Sequence, residues 1–228
     1  MSTLQICLFA EGVTDIRFLP SIIYRTSIAI LSTHRRTDVD VDIPNIVIPE
    51  SKKVRLADQI FSVARQSHMY DILAIHLDAD YPTRDRALQE RFQPGLDLIL
   101  QGKKSGQFFP KILPIIPVHS IEAWMLADPE ALLTALGTDL SPGDLGLPSS
   151  VHQIERNSNP KQIFNDAIRR SQSHRTKRKR HNNNIEYIHN YLSENIKIER
   201  LLQLSSFQNY YEDLTNILQE LHLINPDS

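Results

Sequence analysis

Two aspartates stand one residue apart directly after a short apolar run, within residues 70–82, YDILAIHLDADYP. The apolar run at residues 72–75 has the length of a strand buried in a parallel sheet, and Pro82 cannot continue a central strand. Asp78 and Asp80 therefore follow the carboxyl end of a strand, where open α/β sheets bind ligands. Two carboxylates with this spacing can point the same way and share a hard cation such as Mg²⁺. Alternatively, Asp78 caps the next helix and Asp80 is a solvated turn residue.

A third carboxylate, Glu11, follows the first apolar run of the chain at residues 4–10. Gly12 suits a tight turn from a strand into a helix, and Thr14 or Asp15 is predicted as the N-cap of that helix. If the sheet is parallel, Glu11 lies at the same edge as the two aspartates. Taken alone, Glu11 is better explained as an acidic residue that complements the positive end of the helix.

The elements that must position these carboxylates alternate between apolar runs and helical patterns through roughly the first 135 residues. This alternation predicts an α/β fold, with βαβ units and a parallel central sheet flanked by helices. Besides the two strands already named, strands are predicted at residues 43–49 and 111–118, and residues 33–42 are predicted as an exposed loop. Helices are predicted at residues 52–66, at residues 83–101 with Gly102 as the stop, and at residues 120–126 with Ser120 as the cap.

The strand pattern ends near residue 136, and a stretch rich in Gly, Pro, Ser and Asp follows. Amphipathic helices are then predicted at residues 160–172, 185–195 and 207–221. We therefore expect an α/β domain at residues 1–136 and a helical C-terminal region, residues 137–228, packed on it.

A basic, polar segment without apolar residues occupies positions 173–184 of the C-terminal region. Its cations can contact phosphates of DNA or RNA and release counterions, but such contacts would carry no base specificity. A charge run is also commonly a solvated loop, and the net charge of -2 gives no global signature of polyanion binding. The predicted nucleic-acid-binding residues are Arg175, Lys177, Arg178, Lys179 and Arg180.

The composition is that of an ordinary soluble globular protein, with 41% hydrophobic and 23% charged residues. The single cysteine, Cys7, excludes an internal disulfide and agrees with a reducing compartment. The N-terminus lacks a secretory pattern and no segment has a membrane-spanning length, so we expect a cytoplasmic protein without a membrane partner. No Gly-rich phosphate loop and no zinc-ligand spacing are present. His76 and His119 lie near the carboxylate motifs, where histidines more often pack, although histidine is the commonest general base.

Glu11-Gly12 after the first strand, followed later by Asp78-Ala79-Asp80, resembles the Toprim domain, the catalytic fold of topoisomerases, primases and the nucleases of the OLD family. The resemblance covers roughly residues 4–135 and implies a Toprim-like parallel sheet with a helical C-terminal extension. It implies that Glu11 is a general acid/base or metal ligand and that Asp78 and Asp80 hold Mg²⁺ or Mn²⁺. Glu122 would be a further acidic ligand. Clustered carboxylates suit phosphodiester cleavage, because the ions they hold activate water and stabilise charge on the phosphate.

Residues 116–128, IPVHSIEAWMLAD, and residues 205–214 are similar to a branch of Toprim-like proteins that often accompany an ATPase of the ABC or SMC-like type in phage-defence loci. This resemblance implies a metal-dependent nuclease that acts on DNA or RNA as the effector of an antiphage system with an ATPase partner. The alternative is a non-catalytic Toprim-like subunit that binds or regulates the ATPase. Association between copies of the chain is left open.

Overall fold

Four parallel strands form the central sheet of the computed structural model, which describes residues 2–79, 83–173 and 184–225. The strands, with two more that pair in parallel at the amino-terminal end, are β1 (Ser2–Leu4), β2 (Ile6–Ala10), β3 (Val39–Val41), β4 (Asn45–Ile46), β5 (Ile72–His76) and β6 (Lys111–Ile115). Their order in the sheet is β4-β2-β5-β6. The predicted α/β class, with a parallel sheet flanked by helices and a helical C-terminal region, is confirmed.

The three longest strands run in register, so that they end at the same level. Ala10 of β2 lies beside His76 of β5, and His76 lies beside Ile115 of β6. Because parallel strands all point the same way, the residues that follow these three positions share the carboxyl edge of the sheet.

Helices cover both faces of the sheet, as the alternation of side chains along β2 requires. In order, they are α1 (Val13–Thr33), α2 (Leu56–Gln66), α3 (Arg84–Ala87), a π-helical segment (Leu88–Phe92), α4 (Gln93–Lys104), α5 (Glu122–Met125) and α6 (Pro129–Leu136). Ile6 and Leu8 belong to one apolar core, which includes α1, whereas Cys7 and Phe9 belong to the core beneath α2 and α4. Successive residues of a strand point to opposite faces, so a short strand such as β2 serves both cores.

The helices after residue 137 pack against the sheet and α1. They are α7 (Pro160–Ser173), α8 (Ile185–Asn195), α9 (Ile198–Leu201) and α10 (Ser205–Glu220), preceded by a 3₁₀ turn (Val151–Gln153). Helix α8 lies against α1, and α10 lies against the edge strand β6. Trp124 is fully buried between the two regions, where its indole Nε1 donates to Ser206 Oγ at 2.9 Å and its ring meets Phe207 edge-on.

Two local predictions at the start of the chain are wrong. The N-cap of α1 is Gly12, and Asp15 lies at the third helical position, where its Oδ2 accepts the backbone N–H of Gly12 at 3.0 Å. The predicted loop at residues 33–42 contains β3, an edge strand in which polar residues alternate with valines. Charged residues on an edge strand protect it from pairing with another strand. They also interrupt the apolar run by which a strand is recognised in a sequence.

Three further boundaries differ from the prediction. Strand β4 has only two residues, since the prolines that flank it cannot donate to a sheet ladder. Helix α2 begins at Leu56, so the basic residues at positions 52 and 53 precede it. Gly102 lies inside α4, which continues to Lys104. A Cβ at Gly102 would come within 2.8 Å of the ring of Phe109, so this glycine permits close packing instead of ending the helix.

The start of α5 also differs, because Ile121 takes the N-cap position in place of the predicted Ser120. None of the helices in the described ranges combines the length and the apolarity needed to cross a membrane.

Candidate active site

The crevice of this sheet lies at the carboxyl ends of β2 and β5. From β2 the chain crosses to β4 on one side, whereas from β5 it crosses to β6 on the other side. Loops that leave two neighbouring strands in opposite directions open a crevice between them, and open α/β sheets bind their ligands there. Glu11 directly follows β2, and Asp78 stands two residues after β5. The fold therefore brings these two predicted carboxylates to the same crevice.

Arg91 connects the two carboxylate-bearing loops. Its Nη2 lies 3.3 Å from Glu11 Oε2, and its Nη1 donates to the backbone carbonyl of Asp78 at 2.5 Å. Arg91 belongs to the π-helical segment between α3 and α4. Such segments are rare and often occur at functional sites, because the wider turn redirects a side chain. Arg91 thus fixes the spacing of the crevice and offsets part of its negative charge.

His76 lies beneath the crevice, between two carboxylates. Its side chain is 1% exposed; Nδ1 lies 3.4 Å from Asp15 Oδ2, and Nε2 lies 3.6 Å from Asp78 Oδ1. Because Asp15 also accepts the backbone N–H of Gly12, the start of α1 is tied to the end of β5. Asp15, His76 and Asp78 therefore form a continuous polar chain from the buried helix start to the exposed edge.

Electrostatics favour the charged forms of the buried pair of Asp15 and His76. Burial by itself lowers the pKa of His76, but the carboxylates of Asp15, Asp78 and Glu11 outweigh it, and the pKa lies above the ordinary 6.5. Burial by itself raises the pKa of Asp15, but contact with His76, the N–H of Gly12 and the charge of Lys161 outweigh it, and the pKa lies below 3.8. The His76 ring also faces the inner side of the Asp78 carboxylate.

The loop after β6 lies at the same edge of the sheet. The backbone N–H of Ala79 donates to the carbonyl of Pro117 at 3.4 Å, so this loop runs beside the residues that follow β5. Two residues further on, His119 has a φ of 64°. This left-handed conformation is uncommon for residues other than glycine, and such backbone strain is concentrated at functional sites.

The donor set at the crevice fits a hard divalent cation. Mg²⁺ at phosphoryl-transfer sites is often held by one or two carboxylates, with water and substrate phosphate as its other ligands. Glu11 and Asp78 supply such oxygens, and their side chains are 45% and 40% exposed. Over residues 2–79, 83–173 and 184–225, no group of three or more His, Cys, Asp and Glu side chains is placed to hold a metal ion.

Glu122, predicted as a further metal ligand, is buried in α5 with 7% exposure, and its charge acts on His189 of α8. Burial and the charge of Arg17 lower the pKa of His189 below its ordinary value, against the opposing effects of Glu122 and Asp15. Within the part of the chain that is described, Glu122 completes no group of three ligands with Glu11 and Asp78. Its role as a ligand stays a prediction.

Several predicted site residues lie outside the described residues, and their roles also stay predictions. They are Asp80 and the cations Arg175, Lys177, Arg178, Lys179 and Arg180.

No protein-family model, no curated protein and no solved structure matches this chain. The Toprim resemblance is therefore carried by the motifs of the sequence, and the activity that it implies is a proposal.

The structure adds two residues that the sequence did not indicate as site residues. Asp15 was interpreted only as a helix cap, because its contact with His76 depends on how α1 lies across the sheet. Arg91 lies in a long helical pattern, and its place in a π-helical segment leaves no local sequence signal. The sequence also places His76 near the carboxylate motif. In the structure His76 contacts two carboxylates, so these contacts, and not packing alone, explain its position.

Proposed function

We propose that this chain is a metal-dependent nuclease of the Toprim type that cleaves phosphodiester bonds. The observation that carries the proposal is the position of Glu11 and Asp78 at the crevice between β2 and β5, where Arg91 contacts the Glu11 carboxylate and the backbone carbonyl of Asp78. Carboxylates at a crevice of this kind suit a cation that binds phosphate, and the order of the motifs agrees with Toprim nucleases.

Each residue of the crevice has a task in this proposal. Glu11 and Asp78 hold the ion, which when bound stabilises charge on the phosphate and lowers the pKa of its water. His76 lies behind the inner oxygen of Asp78, with its Nε2 at 3.6 Å from Asp78 Oδ1. The guanidinium of Arg91 brings positive charge to the same edge, where it stabilises the approach of a phosphate.

Cleavage should depend on a divalent ion. We expect the purified chain, given a mixture of plasmid DNA, single-stranded DNA and RNA, to cut at least one of them in Mg²⁺ or Mn²⁺. Chelation should abolish the cutting, because the ion of this proposal activates the attacking water and stabilises charge on the phosphate. Electrophoresis of the products measures the result. Ca²⁺, which binds oxygen ligands in a looser geometry, serves as the comparison cation. Equal cutting in excess chelator would contradict the metal mechanism.

The basic segment should contribute affinity without sequence preference. If Lys177 and Lys179 each contact a phosphate, the variant Lys177→Gln/Lys179→Gln should bind every nucleic acid more weakly, and the slope of affinity against salt should fall by about one for each lost contact. The matched control is Lys103→Gln/Lys104→Gln, which removes the same charge from the end of α4. Fluorescence anisotropy across a salt series measures both. Equal behaviour of the two variants would indicate a solvated loop.

A second candidate function is a non-catalytic subunit that binds or regulates an ATPase. It is favoured by the ion pair of Arg91 with Glu11, which engages one of the two carboxylates that would otherwise hold an ion. An ATPase partner and a role in antiphage defence rest on the sequence resemblance alone. A neighbouring reading frame that encodes an ATPase, and its co-purification with this chain, would support the partnership in either case.

A further inference from the structure

A small pocket opens beside Glu11, on the side of the crevice away from Asp78. Its volume is about 190 Å³. It lies between the edge strand β4 and α2, and its lining includes Phe9, Glu11, Ile16, Ile46, Lys52 and Gln59. Glu11 therefore belongs both to this pocket and to the crevice, so that a ligand in one would adjoin a ligand in the other.

The pocket has apolar walls and a polar rim. Phe9 is nearly buried at 3% exposure, whereas Ile46 and Ile48 keep 37% and 61% of their surface exposed. Isoleucines left open to water around a concave surface are typical of a binding site. Two further exposed apolar residues, Ile43 and Val54, lie in the same part of the chain.

The polar groups at the rim suit an anionic ligand with a hydrogen-bonding edge. Lys52 is exposed and forms no ion pair with any residue in the described ranges. Gln59 is held in place by a 3.0 Å hydrogen bond from its Nε2 to the backbone carbonyl of Val54. Its amide thus offers an oriented donor and acceptor to a ligand edge.

The size of the pocket limits the occupant to one ring system. Pockets for drug-sized ligands have volumes of about 300–1,000 Å³, and this one, at about 190 Å³, is smaller. We propose that the pocket holds one unpaired nucleobase of a nucleic-acid strand, with its phosphate toward Lys52. Apolar walls receive the flat base whatever its identity, an amide meets its polar edge, and an ammonium meets the adjoining phosphate.

This inference rests on the proposed function and specifies its substrate as single-stranded or locally unpaired nucleic acid. A paired base is stacked inside a duplex and cannot enter a pocket of this kind. Because Glu11 lines both places, a strand anchored by its base would present its next phosphodiester to the crevice.

Filling the pocket tests the proposal. We expect Ile46→Trp to weaken binding of a single-stranded hexanucleotide by about tenfold or more, since the new ring occupies the site of the base. The matched control is Ile43→Trp, which adds the same side chain to an exposed position of the same segment outside the lining. Calorimetric titration in chelator with the intact chain measures affinity without cleavage. A second pair of variants tests the phosphate contact in the same way. Lys52→Gln removes the cation at the pocket, and Lys53→Gln is its control outside the lining.

The probes separate the sources of such a ligand. A hexanucleotide that binds more tightly than adenosine monophosphate, and far more tightly than ribose 5-phosphate, supports the proposal. Equal binding of ribose 5-phosphate, or an equal effect of Ile46→Trp and Ile43→Trp, would overturn it. Binding of the mononucleotide without competition by the hexanucleotide would also overturn it, because the pocket would then take free nucleotides. A far-ultraviolet spectrum and an unfolding curve like those of the unsubstituted chain establish that Ile46→Trp is folded, and the Lys52 pair serves if it is not.

The same variants keep this inference distinct from the proposed function. If the chain cuts nucleic acid through Asp78 while Ile46→Trp and Lys52→Gln change neither affinity nor KM, the pocket inference fails and the nuclease stands. If the chain cuts nothing while Ile46→Trp still abolishes binding of the hexanucleotide, the pocket stands and the nuclease fails.

Discussion

Asp78→Asn is expected to reduce metal-dependent cleavage of nucleic acid by at least about 100-fold, as losses of groups that stabilise transition-state charge do. The substitution nearly preserves volume but removes a negative charge from the ion site. The double variant Asp78→Asn/Asp80→Asn should abolish measurable cutting, because two of the predicted ligands of the ion are then neutral. Partner binding should survive in both variants, since the change is confined to the crevice. The rate of plasmid and RNA cleavage in Mg²⁺ measures the effect.

The matched control for this prediction is Asp40→Asn. Asp40 is exposed on β3, where it pairs in register with Thr3 near the amino-terminal end of the sheet, away from the crevice. The substitution Asp40→Asn removes the same charge as Asp78→Asn, so a general effect of net charge on nucleic-acid binding would appear in both variants. Cleavage that persists in folded Asp78→Asn/Asp80→Asn would end the catalytic proposal. The chain would then be a regulatory subunit with the shape of an enzyme.

The position of the crevice could be predicted from the sequence because it depends on features that short stretches of sequence show. The run at residues 72–75 is fully buried, as its apolar composition indicates. Its helix-flanked context favours a parallel sheet, and a parallel sheet puts every strand end at one edge. Glu11 and Asp78 were therefore expected together without knowledge of their contacts, and Arg91 joins their loops at that edge.

The partners of those carboxylates could not be predicted, because they are set by packing between distant elements. Asp15 meets His76 because the start of α1 lies beside the end of β5. Arg91 is separated from Glu11 by 80 positions in the sequence. It contacts Glu11 from a π-helical segment that no local sequence pattern indicates. Such contacts follow from the angle and register of whole helices, which residue types within a short window do not specify.

The short edge strands show a second physical limit. In β3, a single aspartate lies between two valines, and this three-residue pattern carries too little apolar surface to distinguish a strand from a loop. The pairing partner decides the matter, since β3 follows the backbone of β1 in parallel register. Tertiary pairing of this kind overrides weak local preference at sheet edges.

Asp15→Asn is expected to destabilise the fold by about 3–5 kcal/mol near pH 6, the usual result of removing one partner from a buried ion pair. Asp15 and His76 are 7% and 1% exposed, so water cannot replace the lost partner. Asparagine keeps an oxygen that can accept the N–H of Gly12, and the helix cap is therefore preserved. Urea unfolding in chelator, followed by the fluorescence of the single buried tryptophan, measures the change.

The pH dependence of that loss separates the ion pair from a steric effect. Because the pKa of folded His76 lies above 6.5, the stability it contributes is complete below pH 6.5 and disappears as pH rises through the folded pKa. The pKa of folded Asp15 lies below 3.8, so its contribution disappears only as pH falls through that lower pKa. The difference between the unsubstituted chain and Asp15→Asn should thus be largest near pH 6 and should shrink at alkaline pH, where His76 is neutral. In a double-mutant cycle, His76→Gln should remove most of the cost of Asp15→Asn. A cost that stayed constant with pH and unchanged in the His76→Gln background would assign the role of Asp15 to the helix start alone.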